Sequence, residues 1–197
     1  ITMSAYTTRL KLEKQVSGEN SGNWGNLVNY VFNRIDSTVR GYVSVNVAGS
    51  ANVTLVSNNS TTNTSEGADD QVHNKVIELT GALGAAINVF TDAVEGEYII
   101  YNNTSGAYSL TFGNTGHAAN GIAITQGSRA IVYTDGSTMY NAISAGGANT
   151  QVQYNNSGVF AGSANLIFDG TNLTAAGIVT AEGGQLSTTG KSFVMGF

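Results

Sequence analysis

Residues 98–136 read YIIYNNTSGAYSLTFGNTGHAANGIAITQGSRAIVYTDG. Four short apolar runs, each rich in β-branched or aromatic residues, alternate here with clusters of Asn, Thr, Gly and Asp. The apolar runs favour strands and the polar clusters favour turns. Strands at this spacing, with turn signals between them, are typical of a β-sandwich or of a small barrel.

The same pattern extends over residues 43–143, which we predict to form one β domain. Val43, Val45 and Val47 alternate with polar residues, as the residues of a half-buried strand do. A long polar stretch, roughly residues 57–70, interrupts the apolar runs and is predicted to be a loop.

The composition also favours strands over helices. Only 11% of the residues are charged, 25 are Gly, none is Pro or Cys, and Asn, Ser, Thr, Ala and Val fill much of the remainder. Because 41% of the residues are apolar and the net charge is only −5, the chain is expected to fold rather than to stay disordered. We predict a mainly β protein. A β chain with so few charges is prone to associate through its strand edges, which suggests an oligomer.

Residues 1–42 are predicted to form an N-terminal segment of different character. Leu10 and Leu12 fall on one face of a short strand. Residues 17–25 are dense in turn formers and are predicted to be a loop.

One helix is predicted to follow this loop. Asn26 is expected to be its N-cap and Gly41 to end it. Apolar residues recur at helical spacing between these two positions, namely Leu27, Val28, Val31, Phe32, Ile35 and Val39. Because a helix of about four turns is not stable alone, this stripe is expected to pack on a sheet or on another chain.

Residues 144–197 form a third segment with hairpin-sized repeats. A Gly- and Ala-rich linker at residues 144–149 opens it. Short apolar runs and turn clusters such as Asp169-Gly170 follow, and each unit has too few apolar residues to fold alone. Intertwined chains of a β-hairpin shaft are expected to have this pattern.

The sequence offers no clear catalytic or metal site. His73 and His117 lie in no ligand or nucleophile pattern and are interpreted as ordinary surface or turn residues. The acidic group Glu66, Asp69 and Asp70 has the chemistry of a calcium site, but a solvated loop is the preferred interpretation. We predict no enzyme activity, no cofactor and no bound metal.

Two carboxylates, Glu95 and Glu97, lie two residues apart, a spacing that would place a glycosidase pair on one face of a strand. Exposed pairs of this kind are common, so an enzymatic role is not favoured. The first 40 residues are weakly basic and the rest is acidic, which argues against nucleic-acid binding. No apolar stretch reaches the roughly 20 residues that a membrane span needs, so no membrane insertion is expected.

Seven stretches, in three regions of the chain, resemble phage structural proteins. The N-terminal segment resembles tail fibre proteins of short-tailed phages, particularly those of marine bacteria and cyanobacteria. The stretches are YTTRL, GENSGNWGN and RGY in the first segment, SRAIVYTDG in the middle, and NTQVQYNNSG, GSANL and FDGTNL in the third. They begin at residues 6, 18, 40, 128, 149, 162 and 168.

The resemblance implies a homotrimeric fibre in the virion. Its N-terminal part would dock on tail tube proteins, such as an adaptor or nozzle, and a distal part would meet a host cell-surface receptor. Residues 193–197 show no recognisable receptor-binding tip, so the chain is expected to be the tail-proximal part of a longer fibre. The residues expected at the tail-docking or trimer interface are Tyr6, Arg9, Leu10, Lys11, Leu12, Trp24, Leu27, Val28, Val31, Phe32, Arg34, Ile35 and Val39.

Two alternatives remain open at this point. In the first, the β domain is itself an adhesin module that recognises host glycan through aromatic rings, which stack on sugars. The candidate rings are Tyr98, Tyr101, Tyr108 and Tyr140. In the second, the chain is a bacterial surface adhesin, which the absence of a recognisable signal peptide disfavours.

Overall fold

The structure, a computed structural model, describes residues 5–60, 70–157 and 159–176. The chain divides into two compact units, Ile1–Ile143 and Ser144–Phe197. The predicted hairpin segment begins at this division. The predicted N-terminal segment belongs to the same unit as the β-rich segment.

The first unit contains one α-helix and a series of short strands within its described residues. In chain order these are β1 (Ala5–Tyr6), β2 (Glu13–Lys14), α1 (Trp24–Arg40), β3 (Tyr42–Asn46), β4 (Val53–Thr54), β5 (Val76–Ala82), β6 (Ile87–Thr91), β7 (Glu95–Ser105), β8 (Leu110–Asn114), a 3-10 turn (Ala118–Asn120), β9 (Ile122–Ile124), β10 (Arg129–Asp135) and β11 (Met139–Asn141).

Most of these strands belong to two sheets between which the chain alternates. Strands β3, β5 and β7 pair in parallel in one sheet, and β4, β6 and β8 pair in parallel in the other. Each successive pair of strands therefore forms one turn of a wound stack. The stack ends where β9 and β10 add antiparallel to β8 and β7, and β11 completes a five-stranded sheet of order β11-β10-β7-β5-β3.

The two sheets share one hydrophobic core. Val43, Ile77 and Ile100 are in register across the five-stranded sheet and are all buried. Val89 and Phe112 are in register in the four-stranded sheet and are fully buried. Burial of in-register aliphatic and aromatic side chains from both sheets is the main stabilising contribution to this unit.

The core also contains a polar side chain that is fully hydrogen-bonded. Asn102 occupies the row of Val45 and Leu79 and is buried. Its Nδ2 donates to the Ile124 carbonyl at 2.7 Å, and its Oδ1 accepts from the Thr104 hydroxyl at 2.7 Å. Since a buried amide is costly only when it is unpaired, these bonds make Asn102 a link between β7 and β9.

The corners of the stack require glycine where two turns approach closely. Gly106 follows β7 with φ +100°, a conformation that residues with a side chain rarely adopt. A Cβ atom at Gly106 would lie 2.6 Å from the Leu83 carbonyl oxygen of the preceding turn. The Ser105-Gly106 turn is therefore fixed by backbone packing as well as by its local conformation.

The prediction of a mainly β protein with one helix is confirmed. Two facing sheets share a core, as they do in a sandwich, but they are not closed, so the barrel alternative is wrong. The central strands are parallel because the short connections 83–86, 92–94 and 106–109 cross from one sheet to the other instead of forming hairpins.

The N-terminal segment differs from its prediction in two details. Leu10 and Leu12 do not lie in a strand, because residues 7–12 form a turn region between the short paired strands β1 and β2. Helix α1 begins at Trp24, so Asn26 is inside it, and Asn23 occupies the N-cap position without a side-chain capping bond. Gly41 ends the helix as predicted, and its N–H donates to the Ser37 carbonyl at 2.7 Å.

The second unit contains a three-stranded antiparallel sheet in its described residues. Its strands are β12 (Gln151–Asn156), β13 (Val159–Phe168) and β14 (Leu173–Ala175). The local hairpin prediction is confirmed here. The rest of the predicted hairpin segment, residues 177–197, lies outside the described residues.

The turn between β10 and β11 is held by the Asp135 carboxylate. Its Oδ1 accepts from the Ser137 N–H at 2.9 Å and the Thr138 N–H at 2.8 Å, and its Oδ2 accepts from the Tyr140 hydroxyl at 3.1 Å. Chiefly through the backbone bonds from Thr138 and Ser137, the pKa of Asp135 falls from 3.8 to about 2.

We expect the Asp135 carboxyl to titrate at about pH 2 in an NMR titration of the folded protein. Because the folded-state pKa is lowered, its stabilisation of the turn is complete above the unfolded value of 3.8 and is lost as pH falls through about 2. An Asp135→Asn variant keeps the two backbone bonds through its carbonyl oxygen, loses the bond from the Tyr140 hydroxyl and does not ionise, so its turn should show no such pH dependence. A midpoint near 4 in the wild type would contradict the assignment.

Candidate functional site

Helix α1 has two faces with different environments. Leu27 and Arg34 are buried. The opposite side has large exposed apolar residues, and Phe32 and Val39 are each 62% exposed. Of the other predicted interface residues on the helix, Trp24 and Ile35 are exposed, and Val28 and Val31 are half-buried. The apolar stripe predicted from the sequence is therefore only partly covered within this chain.

Part of the stripe has a regular spacing. The half-buried Val28 and the exposed Phe32, Ile35 and Val39 are separated by four, three and four residues. Alternating steps of four and three give the 3.5-residue period of a coiled-coil seam. We call these four residues the helix seam.

The helix is anchored by a buried arginine. Arg34 is 1% exposed, and its Nε lies 2.7 Å from Oδ2 of the buried Asp70. Its Nη1 donates to the carbonyls of Leu10 at 3.1 Å and Asn58 at 2.8 Å. Burial lowers the pKa of the Arg34 guanidinium, and the Asp70 carboxylate acts in the opposite direction. One side chain thus joins the helix to the N-terminal segment and to two parts of the β domain.

His73 completes this buried network. Its Nδ1 lies 2.8 Å from Asp70 Oδ1, and its Nε2 lies 3.1 Å from the Arg9 carbonyl oxygen. From the sequence, His73 is interpreted as a surface or turn residue. It does lie in a turn, but it is buried. The interpretation of Asp70 as part of a solvated loop is wrong, because Asp70 is 2% exposed and pairs with Arg34. Glu66 and Asp69 lie outside the described residues.

The predicted basic docking residues of the N-terminal segment have partners within their own chain. Arg9 forms a bidentate pair with Glu95, with both N–O distances 3.0 Å. Lys11 Nζ lies 3.0 Å from Asp92 Oδ2 and donates to the Ser57 hydroxyl at 2.6 Å. The other docking candidates of this segment are half-buried, namely Tyr6, Leu10 and Leu12. Their role in docking stays a prediction.

The paired acidic residues of β7 are also engaged in ion pairs. Glu95 binds Arg9, and Glu97 Oε1 lies 2.8 Å from Lys75 Nζ. A backbone hydrogen bond and the bonds and charge of Arg9 lower the pKa of Glu95. A lowered pKa is the opposite of what a general acid needs, so Glu95 does not fit that role.

The four tyrosines of the glycan alternative lie in different places. Tyr98 is buried in the core, where its ring contacts Phe112 edge-on and its hydroxyl accepts from Thr91. Tyr108 is exposed in the turn before β8. Tyr140 is exposed and stacks on Tyr133 with ring centroids 5.1 Å apart. Tyr98 is thus unavailable to a ligand, and the others do not form one group.

A polar cluster on the outer face of the five-stranded sheet was missed by sequence reasoning. Ser44, Glu78, Tyr101 and Arg129 stand in one row across β3, β5, β7 and β10. The Arg129 guanidinium carbon lies 3.8 Å from the centre of the Tyr101 ring. Neighbours in this row are 23 to 34 positions apart in the sequence, so only the strand register brings them together, and no local sequence signal marks them.

The second unit exposes most of its large apolar side chains. In its described part these are Tyr154, Val159, Phe160, Phe168 and Leu173, each about half exposed or more. Three strands without a buried face do not form a stable sheet in water. This unit is expected to need a partner surface.

No group of three or more His, Cys, Asp or Glu side chains within the described residues is placed to hold a metal ion. The helix in that part of the chain is too short and too polar to span a membrane. Comparisons with models of protein families, with curated proteins and with solved structures find no match to this chain.

Proposed function

We propose that this chain is a structural virion protein, the tail-proximal part of a trimeric phage tail fibre that catalyses no reaction. In this proposal, residues 1–42 dock on tail tube proteins, the wound β domain is a rigid spacer, and the hairpins of the second unit begin the shaft. A host receptor is contacted by a more distal part of the fibre. The sequence resemblance suggests this role, and the helix seam is the structural observation that supports it most.

The helix seam favours association of three helices. The spacing places Val28 and Ile35 at d positions and Phe32 and Val39 at a positions of a heptad. Two-stranded coiled coils favour Leu at d, whereas β-branched residues there shift the preference to three or four strands. An exposed apolar stripe of this length on a monomer would also be an aggregation liability.

The exposed apolar residues of the second unit support the same association. Phe160 is 70% exposed, and Val159 and Leu173 are nearly as exposed. Since a lone three-stranded sheet cannot cover these side chains, identical hairpins from neighbouring chains are a direct way to bury them. The helix and the hairpins thus both indicate self-association.

The test is the mass of the purified chain in solution, measured by light scattering after size exclusion. We expect three times the mass of one chain. The double variant Phe32→Glu/Val39→Glu places charges in the helix seam and should weaken the trimer, so that its average mass falls at chain concentrations where the wild type stays trimeric.

A matched control places the same charges on the same helix outside the seam. Asn29 and Asn33 are exposed and polar, so Asn29→Glu/Asn33→Glu should leave the trimer intact. A monomeric wild type would refute the proposal. Loss of the trimer in both double variants would mean that charge, and not the helix seam, controls assembly.

The glycan-binding alternative keeps some support from the stacked, exposed pair Tyr133 and Tyr140, because aromatic faces bind the apolar faces of sugars. Specific binding of this chain on a glycan array, together with a monomeric mass, would favour it over the fibre proposal.

A further inference from the structure

The outer face of the five-stranded sheet contains a carboxylate that is satisfied by neutral donors. Asn103 Nδ2 donates to Glu78 Oε1 at 2.7 Å, and the hydroxyls of Tyr42 and Ser44 also hydrogen-bond to Glu78. These three bonds, in that order, lower the pKa of Glu78, and Arg129 contributes only through its charge. Glu78 is therefore hydrogen-bonded without a salt bridge to the nearby arginine.

Arg129 is held in place and leaves its donors open. Its guanidinium lies over the Tyr101 ring at 3.8 Å, and the Tyr101 hydroxyl donates to Asn103 at 3.2 Å. When a guanidinium stacks on an aromatic ring, its N–H groups point outward, parallel to the face of the ring. They can therefore still donate to an acceptor beside the ring. No described residue accepts a hydrogen bond from Arg129 or forms an ion pair with it.

An open cleft of about 460 Å³ lies beside Arg129. Its floor and wall are mainly apolar, and Ile143 at its edge is 64% exposed. Asn141 also lines the cleft, but it pairs with the buried Val132, so its side chain is on the opposite face of the sheet from Arg129. The lining residues are Ile99, Arg129, Ala130, Ile131, Asn141 and Ile143.

The cationic group of this lining is the Arg129 guanidinium, and Arg129 lies on the same face of the sheet as Ile99 and Ile131. A guanidinium with open donors matches a negatively charged acceptor, and its fork fits the two oxygens of a carboxylate. The aliphatic lining matches an apolar group attached to that carboxylate. A sugar acid fits less well, because its polar hydroxyls would lie against the aliphatic lining.

We propose that this cleft binds a carboxylate joined to an apolar group, with Arg129 binding the carboxylate oxygens and the three isoleucines contacting the apolar part. This site is separate from the helix seam and from the proposed fibre role, so either proposal can fail without the other.

The test is a titration of the full chain with 3-phenylpropionate, followed by the backbone amide signals of Ile99, Arg129 and Asn141. We expect these signals to shift, and the neutral analogue 3-phenylpropanamide to bind at least about tenfold more weakly. Glucuronate, which places its carboxylate on a polar ring, should also bind more weakly than 3-phenylpropionate.

Two variants test the role of the guanidinium. Arg129→Gln should weaken 3-phenylpropionate binding about tenfold or more without changing the melting temperature. Lys75→Gln removes a cation that is already paired with Glu97 and should leave binding unchanged. Equal binding of the acid and the amide, an unchanged affinity of Arg129→Gln, or no binding below about 10 mM would overturn the proposal. Glucuronate binding as tight as that of 3-phenylpropionate would overturn the apolar part of it.

Discussion

Replacement of Arg34 by Met should destabilise the first unit by about 3–5 kcal/mol, because it leaves a buried carboxylate without its charge partner. Asp70 is 2% exposed, and its remaining partners are uncharged backbone groups and His73. The substitution also leaves the carbonyls of Leu10 and Asn58 without the donor that joins them to the helix. Urea denaturation at a fixed chain concentration measures the loss as a lower midpoint.

Arg40 is the matched control for this prediction. It is an exposed arginine in the last turn of the same helix, so Arg40→Met should change the free energy of unfolding by no more than about 0.5 kcal/mol. The double variant Arg34→Met/Asp70→Asn should recover part of the loss, since it removes the unpaired charge. Equal effects of Arg34→Met and Arg40→Met would show that the buried pair contributes nothing to stability.

The helix itself was predictable from the sequence, but the division of its faces was not. Apolar residues between Leu27 and Val39 recur every three or four positions, and this period requires no tertiary information. The same period cannot distinguish the stripe that packs within the chain from the one that stays exposed. That division depends on Arg34, a residue usually assigned to the surface, which is buried because Asp70 and two carbonyls surround it.

The strands were also predictable, whereas their pairing was not. Residues 76–82 and 87–91 have the composition of strands and are separated by a four-residue connection. A connection of that length is typical of a hairpin, so local chemistry favours antiparallel neighbours. The chain instead crosses to the facing sheet, because Ile77 and Ile87 both then face the shared core. Parallel stacking is thus a property of the whole wound unit.

The proposed binding cleft illustrates the same limit. Tyr101 and Arg129 lie 28 residues apart and meet only through the register of β7 with β10. Each is unremarkable in its own strand, since tyrosine favours sheets and arginine is common on exposed faces. The contact between them follows from how two strands align, for which a single sequence has no local signal.

Replacement of Phe112 by Ala should destabilise the wound stack by about 3–5 kcal/mol. The Phe112 ring is fully buried and lies in register with Val89 on one side and Ile122 on the other. It also contacts the Tyr98 ring of the facing sheet edge-on, with centroids 5.8 Å apart. The substitution therefore leaves a cavity between the two sheets, which urea denaturation detects as a lower midpoint at an unchanged slope.

Phe90 is the control that separates core packing from loss of any aromatic ring. It lies on the adjacent strand β6, is half-buried, and points away from the core that its neighbour Val89 faces. Phe90→Ala should cost roughly 1 kcal/mol, because less apolar surface returns to water and no enclosed cavity forms. If both substitutions lower the free energy of unfolding by the same amount, the two sheets do not enclose a shared core at Phe112. A much larger cost for Phe112→Ala would show that contacts between successive turns of the stack and across the two sheets hold the unit together.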